Sequence, residues 1–201
     1  MSIFDTPILT PFLRLIFWPI VWLIGWRCPR PLPRDLKKCV IVVAPHTSYW
    51  DFALFILLVI AYRMRVNVLV KHSVFIGPLA WLLHYCGAIP IDRRRPNARI
   101  AQIVKLFAAR DCLNLVITPE GTRGPRTHWK MGFFHIAQAA DVPIVVAYLD
   151  AHKKEVSMGY QFQPKQADME TQMQKLYAFY DQCEGINPQN YASPNRPSSD
   201  N

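Results

Sequence analysis

The sequence predicts an α/β fold in which a mainly parallel central sheet is flanked by helices and preceded by an N-terminal membrane-associating helix. Three observations support this prediction. Short apolar runs of strand length alternate with segments of helical length, which is typical of a parallel sheet. The chain has 201 residues, of which 51% are hydrophobic, and this suffices for one sizeable core. A 20-residue apolar stretch, residues 7–26, precedes the alternating region.

Residues 1–34 are predicted to form a membrane anchor and a linker. No basic residue precedes the apolar stretch and no small-residue cleavage site follows it, so it lacks the pattern of a signal peptide. Its uncharged part, residues 15–26, would extend about 18 Å as a helix, whereas the hydrocarbon layer of a bilayer is about 30 Å thick. We therefore expect this segment to lie in or dip into a membrane. A helix packed on the protein's own core is the alternative.

The aromatic and basic residues of this region favour an anionic membrane surface as a partner. Trp18, Trp22 and Trp26 recur on one helical face. Five basic residues follow, namely Arg27, Arg30, Arg34, Lys37 and Lys38. The net charge of +9 also favours an anionic partner, although charge alone does not distinguish nucleic acid, a bilayer and a phosphorylated substrate. Together with five cysteines that lack CxxC spacing, these features predict a monotopic or peripheral protein at the cytoplasmic face of the inner membrane.

The α/β domain is predicted to occupy residues 35–184. Its strands are predicted near 39–44, 66–70, 87–91, 113–118 and 143–149. Its helices are predicted at about 49–63, 76–85, 96–110, 131–140 and 169–183. Residues 185–201 are rich in Pro, Asn and Ser, and this composition predicts a disordered tail.

The stretch "PHTSYWDF", residues 45–52, places His46 and Asp51 just after the first predicted strand. Side chains five residues apart on a helix point about 140° apart, so the two can meet only across a helix start. If Ser48 is the N-cap, "SYWD" is a capping box that explains Asp51 without catalysis. The carboxyl end of a strand in an open α/β sheet is, however, where catalytic groups collect. Asp51 can serve both purposes.

The chemistry that suits this pair is general-base catalysis, with His46 activating a hydroxyl that attacks an acyl group and Asp51 orienting the imidazole. The sequence has no G-x-S-x-G motif, so the substrate must supply the hydroxyl. It also has no HExxH motif or compact histidine cluster, so no metal site is predicted.

Two later predicted strands end in basic turns, "GAIPIDRRR" at 87–95 and "ITPEGTRGPRTHWK" at 117–130. In a parallel sheet these turns lie at the same edge as His46, and their guanidinium groups match phosphate. The arginines are Arg93, Arg94, Arg95, Arg123 and Arg126. Glu120 can form an ion pair with one of these arginines or accept a hydrogen bond from a polyol hydroxyl. Because the turns lack interleaved aromatic residues and a recognition helix, nucleic acid is not the expected partner.

Four sequence blocks, taken in order, resemble those of the lysophosphatidic acid acyltransferases and the broader glycerolipid acyltransferases with an H-x4-D motif. His46 and Asp51 match the first block, "GAIPIDR" the second, "PEGTR" (119–123) the third and "VPIVVAYLD" (142–150) the fourth. The resemblance covers about residues 40–150. It implies a membrane-associated O-acyltransferase of phospholipid biosynthesis or remodelling, with His46 as the base and Asp51 as its orienting partner.

The resemblance also implies the substrates. The acyl donor is a thioester of coenzyme A or acyl carrier protein, which is a co-substrate, so no cofactor is expected. The acceptor is a lysophospholipid whose phosphate contacts Arg93 and Arg123, and its acyl chain occupies a groove open to the bilayer. Glu120, Gly121 and Thr122 belong to the acceptor-binding turn. Lys71 lies where related bacterial enzymes carry a phosphate-binding lysine.

The blocks depart from the common pattern in ways that leave the acceptor open. Thr118 stands where an aromatic residue is frequent, Gly124 where serine is frequent, and "HSVF" follows Lys71. Glycerol 3-phosphate and an amino-acid-headed lysolipid remain alternatives to a lysophosphatidic acid-like acceptor. A hydrolase and a non-catalytic basic lipid-binding protein are further alternatives. Electrostatic adhesion to lipid does not require an acidic residue such as Glu120, so this residue favours the enzyme over the non-catalytic lipid-binding protein.

Overall fold

The computed structural model describes residues 3–4, 6–92 and 96–195. Over these residues it contains a six-stranded sheet and six α-helices. The strands are β1 Lys38–Ala44, β2 Asn67–Lys71, β3 Ala88–Ile91, β4 Leu113–Ile117, β5 Ile144–Asp150 and β6 Glu155–Phe162. The helices are α1 Leu9–Leu23, α2 Trp50–Ala61, α3 Gly77–Tyr85, α4 Pro96–Ala109, α5 Gly132–Ala139 and α6 Met169–Tyr180.

The strand order is β3-β2-β4-β1-β5-β6, and every neighbouring pair except the last is parallel. This confirms the predicted fold class, and the five predicted strands and five predicted helices of the α/β domain are all present. The antiparallel strand β6 was not predicted. Its sequence, "EVSMGYQF", has buried Ser157 and a central Gly159 in place of a continuous apolar run. This segment forms a strand because it pairs with β5, and its local sequence pattern does not predict the strand.

One face of the sheet is covered by α4, α5 and α6. Val40, Val42 and Ala44 of β1 point to this face, where they join the main core cluster. The helices contribute Ile103, Phe107, Phe133, Phe134, Leu176 and Tyr180. Burial of each such side chain contributes about 1.5–3 kcal/mol, so this layer fixes the strands and the loops that leave them.

The opposite face is covered by α2, whose Val59 packs with Cys39 and Ile41 of β1. Helix α1 packs mainly on α2 and forms an outer layer. Its Val21 clusters with Leu54 and Leu58 of α2, together with Leu149 of β5 and Val156 of β6. The backbone N–H of Ile3 donates to Tyr85 at the end of α3, which brings the start of the chain to that helix.

Most of α1 faces outward. Among the described residues, the exposed large hydrophobic side chains all belong to three segments, 8–24, 49–52 and 74–82, which we call the apolar face. Trp22, Trp50 and Trp81 are more than two-thirds exposed. Within residues 3–4, 6–92 and 96–195, no helix has both the length and the apolar character needed to cross a membrane.

Residues 185–195, part of the segment predicted to be disordered, are described and include a 3₁₀ turn at Pro188–Asn190. The physical reason for this difference is tertiary hydrogen bonding. Asn187 and Asn190 bond to Thr47 of the loop after β1, and Tyr191 donates to Asp181. Such tertiary contacts cannot be predicted from the amino-acid composition of the segment.

Candidate active site

The candidate site lies at the carboxyl edge of the parallel strands. β1 leads into His46, and β4 leads into the turn at 119–123. The two strands are neighbours, with Val42 opposite Ile117, so these loops leave the sheet side by side. The expectation that the first and third sequence blocks meet at one edge is therefore confirmed by the strand register.

Asp51 and His46 are in direct contact. Asp51 Oδ2 lies 3.0 Å from His46 Nδ1 and also accepts hydrogen bonds from the backbone N–H groups of Thr47 (2.7 Å) and Ser48 (2.8 Å). Asp51 is only 5% exposed. Because this oxygen is already an acceptor for two amides, Nδ1 is the donor, and the lone pair of the neutral ring lies on Nε2. That nitrogen is the one available to a substrate hydroxyl.

The same residues also cap helix α2. The Trp50 N–H donates to Ser48 Oγ at 3.1 Å, while the Asp51 carboxylate accepts the Ser48 N–H. Tyr49 already has helical dihedral angles, so Ser48 is the cap although regular hydrogen bonding begins at Trp50. This is the reciprocal arrangement of a capping box. The cap and the contact with His46 are made by one carboxylate oxygen.

Glu120 supports His46 from the other side. Its Oε1 accepts the backbone N–H of His46 at 2.8 Å, and the residue is 6% exposed. Burial raises the pKa of this carboxyl from 4.5 to about 7, although the hydrogen bond from His46 opposes the rise. Its other oxygen, Oε2, is buried without a partner among the described residues. The sequence suggested an arginine or a substrate hydroxyl as its partner, whereas in the structure Oε1 accepts the hydrogen bond from the loop that carries His46.

Gly121 forms the turn that follows. Its φ of +66° lies in the left-handed region, and a Cβ built there would lie 2.8 Å from Lys130 Nζ. The backbone N–H of Lys130 donates to the Pro119 carbonyl at 2.8 Å, which holds the lysine across the turn. Lys130 was not among the predicted site residues. Its signal was present, since it ends the basic stretch that begins with the third block.

Arg123 and Thr122 lie on the outer side of this turn. The Arg123 guanidinium carbon is 3.6 Å from the centre of the Tyr49 ring, a cation–π contact that ties the third block to the start of α2. Thr122 is exposed, and its hydroxyl accepts the Gly124 N–H at 3.4 Å. Thr122 is therefore accessible to solvent, whereas Arg123 is half-buried.

The structure does not bring Lys71, another predicted acceptor contact, into this group. Lys71 is exposed at the end of β2, and β4 separates β2 from β1, so the backbones of β1 and β2 are about 10 Å apart. Arg93 lies outside the described residues, as do Arg94 and Arg95. The roles of Lys71 and Arg93 stay predictions.

The potential metal ligands in the described part of the chain are dispersed, and three of the thiols are buried or partly buried. Among the described residues, no three His, Cys, Asp or Glu side chains are close enough together to hold a metal ion. Burial raises the pKa of the Cys28, Cys39 and Cys183 thiols to about 12, so these are protonated at neutral pH. A protonated thiol is a poor nucleophile.

Comparisons with known proteins agree with the fold described above. A family model described as Acyltransferase matches residues 27–149. The crystal structure of PlsC, the 1-acyl-sn-glycerophosphate (LPA) acyltransferase from Thermotoga maritima, is similar with a TM-score of 0.57 and 14% sequence identity, over 84% of this chain and 76% of that chain. At this identity the likeness shows the fold alone. No curated protein sequence matches the chain.

Proposed function

Because the chain belongs to the acyltransferase family, whose model matches more than half of it, we propose that it transfers a fatty acyl group from an acyl thioester to the hydroxyl of a lysophosphatidic acid-like lysolipid. The donor is acyl-CoA or acyl-acyl carrier protein. The observation that carries the proposal is the 3.0 Å contact between His46 Nδ1 and the buried Asp51 carboxylate, which leaves Nε2 for the acceptor.

The proposed reaction has two linked proton transfers. His46 Nε2 removes the proton of the acceptor hydroxyl as its oxygen attacks the thioester carbonyl carbon. Asp51 stabilises the imidazolium that forms. The carbon–sulfur bond then breaks, an ester forms, and the thiol leaves with the proton that His46 held. The enzyme forms no covalent intermediate, so the buried, protonated cysteines are not needed.

The acceptor phosphate is proposed to bind at the third-block turn. Arg123 lies on this turn and Lys130 packs against Gly121 of the turn, and neither forms an ion pair with a carboxylate among the described residues. A guanidinium and an ammonium at this turn give a phosphate two cations without displacing an existing salt bridge. Lys71 and Arg93 are proposed as additional contacts on the strength of the resemblance in sequence.

Membrane association is proposed through the apolar face. Tyr49, Trp50 and Phe52 are exposed and follow directly on the loop that carries His46. A bilayer that covers these side chains brings the reacting hydroxyl of a membrane lysolipid to the level of His46. Exposed tryptophan rings are typical of the membrane interface, and the positive net charge favours the anionic cytoplasmic leaflet.

The test is an acyl-transfer assay with purified protein in lipid vesicles. Labelled acyl-CoA and acyl-acyl carrier protein are offered with a lysophosphatidic acid, glycerol 3-phosphate or an amino-acid-headed lysolipid. We expect transfer to the lysophosphatidic acid, and a loss of about 10²–10⁴-fold in His46→Ala and Asp51→Asn.

The control is His135→Ala, which removes an exposed histidine of α5, the helix on the sheet face opposite to α2. Transfer that survives in His46→Ala would contradict the mechanism. Release of free fatty acid without acceptor would show a hydrolase, and transfer to another acceptor would correct the substrate. Lipid binding without any turnover would show a non-catalytic protein.

A further inference from the structure

The loop that carries His46 is contacted by a segment outside the region that the family model matches. Residues 185–190 cross Thr47, the residue after His46. The Thr47 carbonyl accepts a hydrogen bond from Asn190 Nδ2 at 2.9 Å, and the Thr47 hydroxyl accepts the backbone N–H of Asn187 at 3.1 Å. Thr47 is 2% exposed, so these bonds are shielded from water.

Close packing accompanies the hydrogen bonds. A Cβ built on Gly185 would lie 2.5 Å from Thr47 Oγ1 and 2.6 Å from Thr47 Cγ2. Contacts this short leave no room for any side chain at position 185. The glycine therefore allows the backbone of the segment to lie directly against the threonine.

The hydrogen bonds from this segment are linked to the His46–Asp51 pair through a single peptide unit. The peptide unit between Thr47 and Ser48 accepts from Asn190 at its carbonyl and donates its N–H to Asp51 Oδ2 at 2.8 Å. That oxygen is also the partner of His46 Nδ1. Asn190 is thus joined to the His46–Asp51 contact through one peptide plane, without touching the place where a substrate reacts.

The segment is anchored independently of Thr47. At its start the Glu184 carbonyl accepts the Ala151 N–H at 2.7 Å, at the end of β5. Beyond it, Tyr191 and Asn195 both donate to the Asp181 carboxylate at 3.0 Å. Residues 185–190 are therefore held at both ends, and they can restrain the loop rather than merely follow it.

We propose that Asn187 and Asn190 are positioning residues that set the orientation of the His46–Asp51 pair by holding the Thr47–Ser48 peptide. The catalytic loop is then braced from two sides, by Glu120 at the His46 N–H and by residues 185–190 at Thr47. This inference rests on the proposed function for its catalytic consequence. Its structural part concerns only the loop.

The first test is kinetic. Asn190→Ala is expected to lower kcat about 10-fold while the KM for each substrate stays within about twofold, because the base is misplaced and binding groups are untouched. Asn190→Gln, which keeps a side-chain amide, is expected to recover part of the loss. The matched control is Gln182→Ala, an exposed amide whose hydrogen bond goes to the Ala178 carbonyl near the end of α6. Equal effects of Asn190→Ala and Gln182→Ala would overturn the inference.

A double-mutant cycle separates positioning from general destabilisation. If Asn190 acts through Asp51, Asn190→Ala costs much less in an Asp51→Asn background than in the wild-type enzyme. Equal costs in both backgrounds would overturn the inference, because an unrelated structural defect adds to the loss of Asp51.

Hydrogen exchange provides a test that needs no substrate. The Thr47 and Ser48 amides, both bonded to Asp51, are expected to exchange about 10-fold faster in Asn190→Ala than in the wild type and in Gln182→Ala. Unchanged exchange would overturn the inference whatever the enzyme does. Failure of the wild-type protein to transfer acyl groups would overturn the proposed function instead, so the two failures are distinguishable.

Discussion

Asp51 shows how a single side chain combines a structural and a chemical task. Its Oδ2 atom accepts three hydrogen bonds, two from backbone amides at the helix start and one from His46. The two amides hold the carboxylate in place before any substrate is present. The hydrogen bond from His46 is therefore made to an acceptor whose position is fixed. The capping box and the contact between His46 and Asp51 were both predictable from the sequence, because both depend on residues within six positions of one another.

Glu120 predicts a pH dependence of stability. Burial raises the pKa of its carboxyl from 4.5 to about 7, so folding favours the protonated form. The resulting stability is fully present below pH 4.5 and is lost as the pH rises through about 7, an effect of about 3 kcal/mol on the free energy of unfolding. Glu120→Gln keeps an acceptor for the His46 N–H and cannot ionise.

The measurement is chemical denaturation of both proteins between about pH 4.5 and pH 8. We expect the wild type to lose stability relative to Glu120→Gln over this range. Parallel stability profiles for the two proteins would contradict the prediction, because they would mean that Glu120 ionises as freely in the folded state as in the unfolded chain.

Gly121 predicts a coupled loss of stability and acceptor binding. Alanine at this φ of +66° is strained and its Cβ meets Lys130, so Gly121→Ala should lower the free energy of unfolding by about 1–3 kcal/mol. Displacement of Lys130 should also raise the KM for the lysolipid about 10-fold. Gly124→Ala is the matched control, since a Cβ there meets nothing within 4 Å. Equal KM values in the two variants would argue against a role for Lys130.

At the scale of elements, the sequence predicted those helices and strands that have a local hydrophobic periodicity. The five parallel strands and the five helices of the α/β domain have apolar patterns of their own, and the structure confirms them. Strand β6 and the 3₁₀ turn at Pro188–Asn190 have no such apolar pattern of their own. β6 depends on pairing with β5, and its Gly159 lies under the ring of Phe179. The turn depends on Thr47, 140 positions away in the chain.

The exposed tryptophans of α1 and α3 predict the outcome of a test of the proposed membrane association. Trp22 of α1 and Trp81 of α3 are 72% and 70% exposed, and burying such a ring in a membrane interface is favourable by about 1–3 kcal/mol. A Trp22→Ser, Trp81→Ser double variant should therefore bind vesicles at least about 10-fold more weakly, measured by co-sedimentation. Gln174→Ser, an exposed position on α6, is the control. Undiminished binding of the double variant would mean that the apolar face does not contact lipid.

At the scale of the whole molecule, the layers separate two kinds of surface. The sheet lies between α2 on one face and α4, α5 and α6 on the other, with α1 outermost on the α2 side. The exposed large apolar side chains of the described residues all belong to α1, the start of α2 and the region of α3. The candidate site lies at the edge of the sheet beside the start of α2, so the apolar face and the candidate site are adjacent.

The net charge of +9 predicts a salt-dependent component of membrane binding. Raising the salt concentration from about 0.05 M to about 0.5 M should weaken binding to anionic vesicles by shortening the Debye length, and should leave the weaker binding to neutral vesicles nearly unchanged. Co-sedimentation with the two vesicle types measures both components. Salt-insensitive binding to anionic vesicles would show that the basic residues do not face the lipid.

The bracing of the His46 loop also has a consequence for protein design. The heptapeptide "PHTSYWD" looks like a portable module, because it contains the base, its carboxylate and the helix cap. Its bracing, however, comes from Glu120 and Asn190, which are 74 and 143 positions away in sequence. A designer who grafts the heptapeptide onto another parallel sheet therefore transfers the reactive groups and the cap. Such a graft omits both outside supports, and these must be rebuilt on the new scaffold.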